Sequence, residues 1–352
     1  MPARVPEAGP VALGDVVREL TSRADPRRLR RDVEILADGP RSRTRAPGAM
    51  LRAEAHVAAE LAAAGRPAGR QPFDVRWRPG STDRRGHRAL PLRFRLHPRL
   101  TGANLLAEPP AGVRRPTVVV GAHLDTVDAA PGADDNASGV AALLEVARLL
   151  GGMPNPPDVT FMVFDMEELG LIGSRFAAQW LRRNREVTGM ICLESVGYFT
   201  AEAGSQRMPP GFGTAFPRVA TAVRSAGLRG DFTLLVHRRS TRAAAALWHG
   251  AARATEPALP CVTLCDPRPQ GPLGALAGLA VPALAHLDRS DHAAFWNTGI
   301  PALMLTDTAN FRNPHYHRPT DTPDTLDYRR LTAVAVATAA TVTAMIPGVP
   351  PR

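Results

Sequence analysis

The stretch 117–150 begins TVVVGAHLDTVDAAPGADDN and continues ASGVAALLEVARLL. An apolar run of strand length is followed, after a polar loop, by a helical pattern at 137–150, and VTFMVF at 159–164 starts another strand. A strand, a covering helix and a second strand are typical of a parallel sheet. Because the strands are continuously apolar rather than alternating, we expect helices on both faces of that sheet.

The same alternation continues along the chain and predicts an α/β protein. Strands are predicted at 73–77, 92–96, 104–107, 117–121, 159–165, 190–195, 232–236, 281–285 and 302–305, and helices at 49–64, 137–150, 168–184, 214–226, 241–251, 291–298 and 328–345. This pattern indicates a three-layer α/β/α sandwich with a central mixed, largely parallel sheet. We expect residues 1–24 to be a loosely attached N-terminal arm, 25–352 a single domain with a polar, Arg-rich insertion at 78–99, and 271–280 a flexible loop.

Composition narrows the possible functions. The 352 residues include 43 basic side chains, all of them arginine. The absence of lysine excludes a Walker A phosphate loop, a Schiff-base lysine and a lysine general base. The net charge of +10 belongs to residues 1–100, which hold 21 Arg against 11 Asp and Glu. This local excess of positive charge has two interpretations. It either reflects solubility or a GC-biased coding sequence, or it binds an acidic partner.

The chain has no pattern typical of export or membrane insertion. Its first 20 residues contain no apolar run of signal-peptide length, and the most apolar stretch, 331–346, is broken by four threonines. A bilayer span needs roughly 20 apolar residues. We therefore expect a cytoplasmic protein without membrane or specific nucleic-acid partners. Cys261 and Cys265 could pair in an exported protein, but two reduced thiols are the favoured interpretation.

Two groups of candidate site residues follow the strand at 117–121. His123 and Asp125 lie two apart on an extended backbone and project to the same side, so the carboxylate can fix the imidazole tautomer. Asp134 and Asp135 precede a helix that Asn136 can cap, where acidic residues are stabilising in any protein. Their small neighbours also allow a metal ion to approach closely.

Further candidates stand at the ends of later strands. Glu167 and Glu168 follow the strand at 159–165, where they are either ordinary helix-start residues or a metal ligand beside a proton acceptor. Glu194 ends an apolar strand and needs a cation nearby, either arginine or a metal. His315 and His317 are possible ligands from a loop.

Together and in this order, these segments resemble the co-catalytic di-zinc exopeptidases of metallopeptidase family 28, which includes aminopeptidases, glutamate carboxypeptidases and glutaminyl cyclases. The resemblance runs from about residue 29 to 331 and is carried by GANLLAE, GAHLDT, GADDNASG, MEELGLIGS, SDHAAFW, GIPALMLTDT and YHRPTDTPDTLD. It implies a zinc-exopeptidase fold and hydrolysis of a terminal peptide or amide bond.

The resemblance also implies a role for each residue. His123 and Glu194 would bind one zinc, Glu168 and His317 the other, and Asp134 would bridge both, with a cis peptide between Asp134 and Asp135. Glu167 would be the general base and Asp125 would orient His123. Residues with expected supporting or substrate-contacting roles are Asp135, Ser290, Asp291 and His292. The YHxP segment favours His317 over His315 as the loop ligand.

Imidazole and carboxylate ligands suit two Zn²⁺ ions, with Co²⁺ or Mn²⁺ as substitutes. We therefore predict a metallo-exopeptidase acting on peptides or small amides, most simply an aminopeptidase. Glu194 stands where aminopeptidase members often carry Asp, so carboxyl-end specificity stays open. A glutaminyl-cyclase-like enzyme and a non-catalytic interaction protein or Arg-rich nucleic-acid binder are the alternatives. A serine hydrolase is unsupported because no G-x-S-x-G occurs.

Overall fold

Eight strands form one mixed sheet in the computed structural model, which describes residues 10–82, 93–109, 116–153, 156–280 and 282–346. The strands are β1 Gly69–Thr82, β2 Arg93–Ala107, β3 Thr117–His123, β4 Val159–Phe164, β5 Val187–Glu194, β6 Thr233–Arg238, β7 Cys261–Asp266 and β8 Ala302–Thr306. Their spatial order is β1-β2-β4-β3-β5-β8-β6-β7. The central strands β4, β3, β5 and β8 are parallel, whereas β2 pairs antiparallel with β4 and β6 antiparallel with β8.

Helices surround this sheet. The described α-helices are α1 Pro10–Arg23, α2 Pro26–Leu36, α3 Pro47–Ala63, α4 Gly139–Gly151, α5 Ile172–Asn184, α6 Phe212–Ala215, α7 Pro217–Ser225, α8 Arg242–Ala254, α9 Pro272–Ala280, α10 Pro282–Ala285, α11 His292–Thr298, α12 Ala309–Arg312 and α13 Tyr328–Met345. None of them is both long and apolar enough to cross a membrane.

The two faces of the sheet are both buried, as the continuous apolar strands predict. On β3, Val118 and Val120 belong to a core shared with α4, α8 and α13, while Val119 points to the opposite core, shared with α5 and α11. This alternation follows from the period of two along a strand. The expected three-layer α/β/α architecture is therefore confirmed.

Several element predictions need correction. The predicted strands 92–96 and 104–107 belong, from residue 93 onward, to the single strand β2, and residue 92 lies outside the described residues. The strand β7 was missed because only two of its six residues are buried. The predicted strand 281–285 is wrong: residue 281 lies outside the described residues, and Pro282–Ala285 is a helical turn, which the fixed φ of proline at the first position favours. The expected loop 271–280 contains α9.

The N-terminal segment is packed rather than loosely attached over the part that the structure describes. Val17 and Leu20 of α1 are fully buried and α1 contacts α13. Residues 1–9 lie outside the described residues. In the expected insertion at 78–99, β1 and β2 stay paired as far as Thr82 and Arg93, and 83–92 lie outside the described residues.

Candidate active site

Two groups of potential metal ligands lie at the carboxyl edge of the parallel strands. The first contains His123, Asp135 and Glu194, with His123 Nε2 at 3.2 Å from Asp135 Oδ1 and 3.4 Å from Glu194 Oε2. The second contains Asp135, Glu168 and His317, with His317 Nε2 at 3.0 Å from Asp135 Oδ2 and 3.5 Å from Glu168 Oε1. Each group uses one oxygen of Asp135, so this carboxylate lies between the two groups.

The shared carboxylate is Asp135 and not Asp134, which corrects the sequence-based assignment. Asp134 is turned away: its Oδ2 accepts a hydrogen bond of 2.7 Å from Asn313 Nδ2 and its Oδ1 one of 3.1 Å from Gly197 N. The cis peptide is likewise between Asp135 and Asn136 rather than between the two aspartates. Because the backbone is kinked and non-helical at 135 and 136, the sequence alone does not tell which neighbouring aspartate faces the site.

Asp125 fixes both His123 and the glutamate loop. Its backbone carbonyl lies 3.0 Å from His123 Nδ1, so Nδ1–H donates there and Nε2 faces the ligand group. The carboxylate of Asp125 also lies near this ring, with Oδ1 3.6 Å from His123 Nδ1, and it accepts the backbone N–H groups of Glu167 at 3.0 Å and Glu168 at 3.1 Å. Asp125 thus faces His123 with both its backbone and its side chain, and the side chain in addition holds the loop.

Glu167 lies beside the ligand groups but belongs to neither of them. Burial raises the pKa of Glu167 well above its usual value, His123 opposes that rise, and Glu168 and Glu194 reinforce it. Glu168, its neighbour, points an oxygen at His317. Two adjacent glutamates after β4 therefore have different surroundings, as the sequence predicted.

The segment 290–292 is only partly at the site. Ser290 Oγ donates a 2.7 Å hydrogen bond to Glu194 Oε2, so it orients a member of the first group. Asp291 is buried near His123 and Glu194, and burial raises its pKa to about 7. His292 contradicts the expected role, because its Nε2 bonds to the Leu287 carbonyl at 2.8 Å and its ring packs on Trp296 in the core.

The structure brings His317, and not His315, into a ligand group. The His317 ring is 5% exposed and stacks on Tyr316 with ring centroids 3.8 Å apart. His315 Nδ1 instead lies 3.0 Å from Thr320 Oγ1 at an exposed position. The YHxP segment had favoured this choice.

Three further residues support the site without belonging to either ligand group. Asp321 accepts the backbone N–H groups of Asp134 and Asp135 at 2.9 and 3.2 Å. Asn136, expected to cap the following helix, accepts the N–H of Gly139 at the start of α4 through Oδ1, although the N-cap position itself is Ser138, and its Nδ2 donates to the Leu193 carbonyl. Arg41 is 1% exposed and donates to the carbonyls of Leu124, Pro131 and Gly132. The sequence assigned no role to Asp321 or Arg41, and of these two only Asp321 belongs to a motif of the family resemblance, the YHRPTDT segment.

Buried negative charge exceeds buried positive charge at this edge of the sheet. Burial raises the pKa of Asp134 to about 6 and that of Asp321 to about 8, and it lowers the pKa of Arg41 to about 10. Among the described residues, His123 Nε2, Asp135 Oδ1 and Glu168 Oε1 are buried without a hydrogen-bond partner. Such atoms are costly unless a cation binds them, and histidine nitrogens with carboxylate oxygens suit zinc.

An apolar pocket adjoins the first ligand group. It has a volume of about 100 Å³, and its lining extends from Glu194 to residues of β6, β7 and β8. Its apolar lining includes Met208, Phe212, Val223, Phe232, Leu234 and Met304. A bound molecule could therefore place an apolar group beside the ligand residues.

Known proteins resemble this chain over part or all of its length. The uncharacterized protein YfbL of Escherichia coli is 34% identical over 233 residues, 62% of this chain and 64% of YfbL. The aminopeptidase YwaD of Bacillus subtilis is 39% identical over 85 residues, 24% of this chain and 19% of YwaD. The chain thus matches less than two thirds of the length of each of these curated relatives.

Solved structures share the fold at lower sequence identity. The aminopeptidase from Aneurinibacillus sp. strain AM-1 superposes with a TM-score of 0.63 at 18% identity, covering 94% of this chain and 96% of that one. Glutaminyl cyclases share the fold as well. The model of Peptidase family M28 matches residues 104–224 and 280–342, more than half of the sequence and all of the ligand residues. The chain therefore belongs to Peptidase family M28.

Proposed function

We propose that this protein is a zinc-dependent aminopeptidase with two metal ions bound at the candidate site. The observation that carries the proposal is the pair of ligand groups that share Asp135. A single carboxylate that offers one oxygen to each group can hold two metal ions close together, as two-metal hydrolases do. The similarity to the aminopeptidase YwaD supports the same activity.

His123, Asp135 and Glu194 would hold one zinc ion, and Asp135, Glu168 and His317 the other. When bound, zinc acts as a Lewis acid that polarises a carbonyl and lowers the pKa of water. The residues around it orient these ligands: Asp125 fixes the tautomer of His123 and Ser290 holds Glu194. Such supporting contacts keep the ligands in place when the substrate binds.

Glu167 would serve as the general base. Asp125 holds its backbone, and its carboxyl group is next to the first ligand group without joining it. It would take a proton from the attacking water and deliver that proton to the leaving amine. The adjoining apolar pocket would receive the side chain of the first substrate residue, and apolar residues such as leucine suit its lining.

The test combines metal analysis with a substrate panel. We expect about two zinc ions per chain, release of leucine from leucine amide, and no reaction with N-acetyl-leucine amide, which lacks a free amino group. One zinc per chain together with cyclisation of N-terminal glutaminyl peptides would contradict the proposal and favour the cyclase alternative. Cleavage of acyl-amino acids in place of leucine amide would show carboxyl-end specificity.

A further inference from the structure

The ribbon formed by β1 and β2 projects from the edge of the sheet that carries the candidate site. Residues Leu105 to Ala107 of β2 pair antiparallel with Val163 to Phe161 of β4. The preceding part of β2 therefore continues past the carboxyl end of β4, where Glu167 and Glu168 follow. β1 stays paired with it along this extension.

The base of the ribbon is fixed to the loop that carries the two glutamates. Phe73 and Leu100 pack with Met166 and Ile172 in a small apolar cluster. Ala103 N donates to Asp165 Oδ2 at 3.1 Å. The ribbon is thus attached directly beside the candidate active site.

The described part of the ribbon carries exposed arginines. Residues 76–99 contain eight arginines and one acidic residue in sequence, and the structure describes the side chains of three of these arginines, Arg76, Arg78 and Arg99. Arg76 and Arg78 are exposed, and Arg99, also exposed, pairs with Asp74. Burial and the neighbouring Arg78 lower the pKa of Arg175 in the first turn of α5. Within the described parts of the chain, Arg78 and Arg175 have no carboxylate partner, so this positive field is available to an anion.

Apolar side chains accompany these charges. Trp77 is 66% exposed and Leu96 57% exposed, on the two paired strands. Trp77 lies between Arg76 and Arg78, and its backbone is left-handed with φ of 51°, which interrupts the alternating series of the packed residues Phe73 and Val75. The ribbon therefore offers arginines together with an apolar contact for an extended chain.

We propose that this basic ribbon binds acidic residues of the substrate downstream of the scissile bond, so that preferred substrates are peptides with an acidic segment a few residues after the amino end. This inference rests on the proposed aminopeptidase function. Asn104 of β2 is level with the end of β4. The Arg76–Arg99 pair lies five residues farther along the ribbon, which is about 17 Å from Asn104 at 3.3 Å per residue. An extended peptide covers that distance in about five residues.

A peptide suits the ribbon better than a membrane or a nucleic acid. Its attachment to the glutamate loop places it where the remainder of a bound substrate must leave the site. One exposed tryptophan is not the array of stacking side chains that single-stranded nucleic acids use. Nucleic acid and anionic vesicles are therefore competitors in the test.

The test uses two octapeptides that begin Leu-Ala-Gly-Ser and end in either Asp-Glu-Asp-Glu or Asn-Gln-Asn-Gln. The initial rate of leucine release gives kcat/KM for each peptide. We expect the zinc-loaded wild-type protein to prefer the acidic peptide by about tenfold at low salt, through a lower KM, and to lose the preference in 0.5 M NaCl. In Arg76→Glu/Arg78→Glu the ratio should fall to one or below.

A charge-matched variant distinguishes an effect of the ribbon arginines from an effect of the protein's net charge. Arg182→Glu/Arg183→Glu makes the same charge change in the exposed last turn of α5, at the opposite edge of the sheet, and should keep the preference. Equal wild-type rates on both peptides, or the same loss in both variants, would overturn the inference. So would binding of DNA, RNA or phosphatidylglycerol vesicles at about 0.2 M salt that displaces the acidic peptide and is lost in Arg76→Glu/Arg78→Glu, because the ribbon would then be a nucleic-acid or membrane site.

Leucine amide distinguishes the two proposals. Hydrolysis of leucine amide with no preference between the octapeptides contradicts only the role of the ribbon. Failure to hydrolyse leucine amide and both octapeptides contradicts the proposed function and therefore also the inference about the ribbon.

Discussion

The two ligand groups share Asp135 but are supported differently. The first group takes His123 and Glu194 from the last residues of β3 and β5, inside the sheet. The second takes Glu168 and His317 from loops, and His317 itself has a left-handed backbone with φ of 58°. Such a conformation costs about 1–3 kcal/mol outside glycine and persists only where the surroundings impose it. We therefore expect strands to preform the first site and metal binding to order the second.

The largest expected effect comes from the residue that both groups use. Asp135→Asn should release both metal ions and reduce leucine amide hydrolysis to the assay background, because it weakens an anionic ligand of each ion. Asp134→Asn is the matched control and should keep both ions, since its carboxylate faces Asn313 and Gly197. Metal analysis of the two purified variants checks this. The opposite pattern would restore Asp134 as the shared ligand.

The next effect separates the two adjacent glutamates. Glu167→Gln should lower kcat by about 10²–10⁴-fold with zinc content unchanged, because it removes the basic oxygen and no ligand. Glu168→Gln should lose one zinc ion. Loss of zinc from Glu167→Gln, with activity recovered in excess metal, would show that Glu167 is itself a ligand.

The histidines of the loop test the difference between the groups directly. His317→Ala should retain one zinc ion per chain, and His315→Ala should retain both, because the His315 ring contacts Thr320. Stepwise addition of a chelator to the wild-type protein should first produce the same one-zinc state as His317→Ala. Equal zinc loss in both variants contradicts the assignment.

A smaller effect is expected from the hydrogen bond that supports the first group. Ser290→Ala leaves Glu194 without the 2.7 Å bond from Ser290 Oγ and should weaken the tighter of the two zinc sites by about 10–100-fold. Thr320→Val, which changes a hydroxyl near His315, should leave it unchanged. Competition with a fluorescent zinc chelator measures both affinities. Unchanged affinity in Ser290→Ala would mean that β5 alone positions Glu194.

The smallest expected effect is the contribution of the core residue His292 to the pH dependence of the unfolding free energy. Burial lowers the pKa of His292 to about 4, so folding favours its neutral form. Its contribution to stability is complete above the unfolded pKa of about 6.5 and decreases as the pH falls toward 4. Between pH 7 and 5 the unfolding free energy should fall by about 2 kcal/mol more in the wild type than in His292→Gln. Urea unfolding at both pH values measures this difference, and identical pH dependence would contradict it.

Local patterns predicted the central part of the fold and most of the ligand set. The strands β3, β4, β5 and β8 are mainly apolar, and each of them ends in or is followed by a polar or charged residue, so that the sequence predicted both the sheet and the edge that carries the site. The strand β7 was missed because its residues at the edge of the sheet are partly exposed. The helix α10 was missed because a short apolar run that contains proline does not distinguish a strand from a helix. The packing of α1 depends on α13, which lies more than 300 residues away.

What the sequence by itself determined is the order of the elements, the family resemblance and the residue types at the site, because hydrophobic periodicity and short motifs are local properties of the chain. Only the tertiary structure decided that Asp135 and not Asp134 faces the site, that Asp125 holds the glutamate loop, and that His292 belongs to the core. Each of these depends on a side-chain direction set by backbone kinks and by hydrogen bonds between distant segments. The position of the Arg-rich ribbon beside the site likewise follows from the antiparallel pairing of β2 with β4.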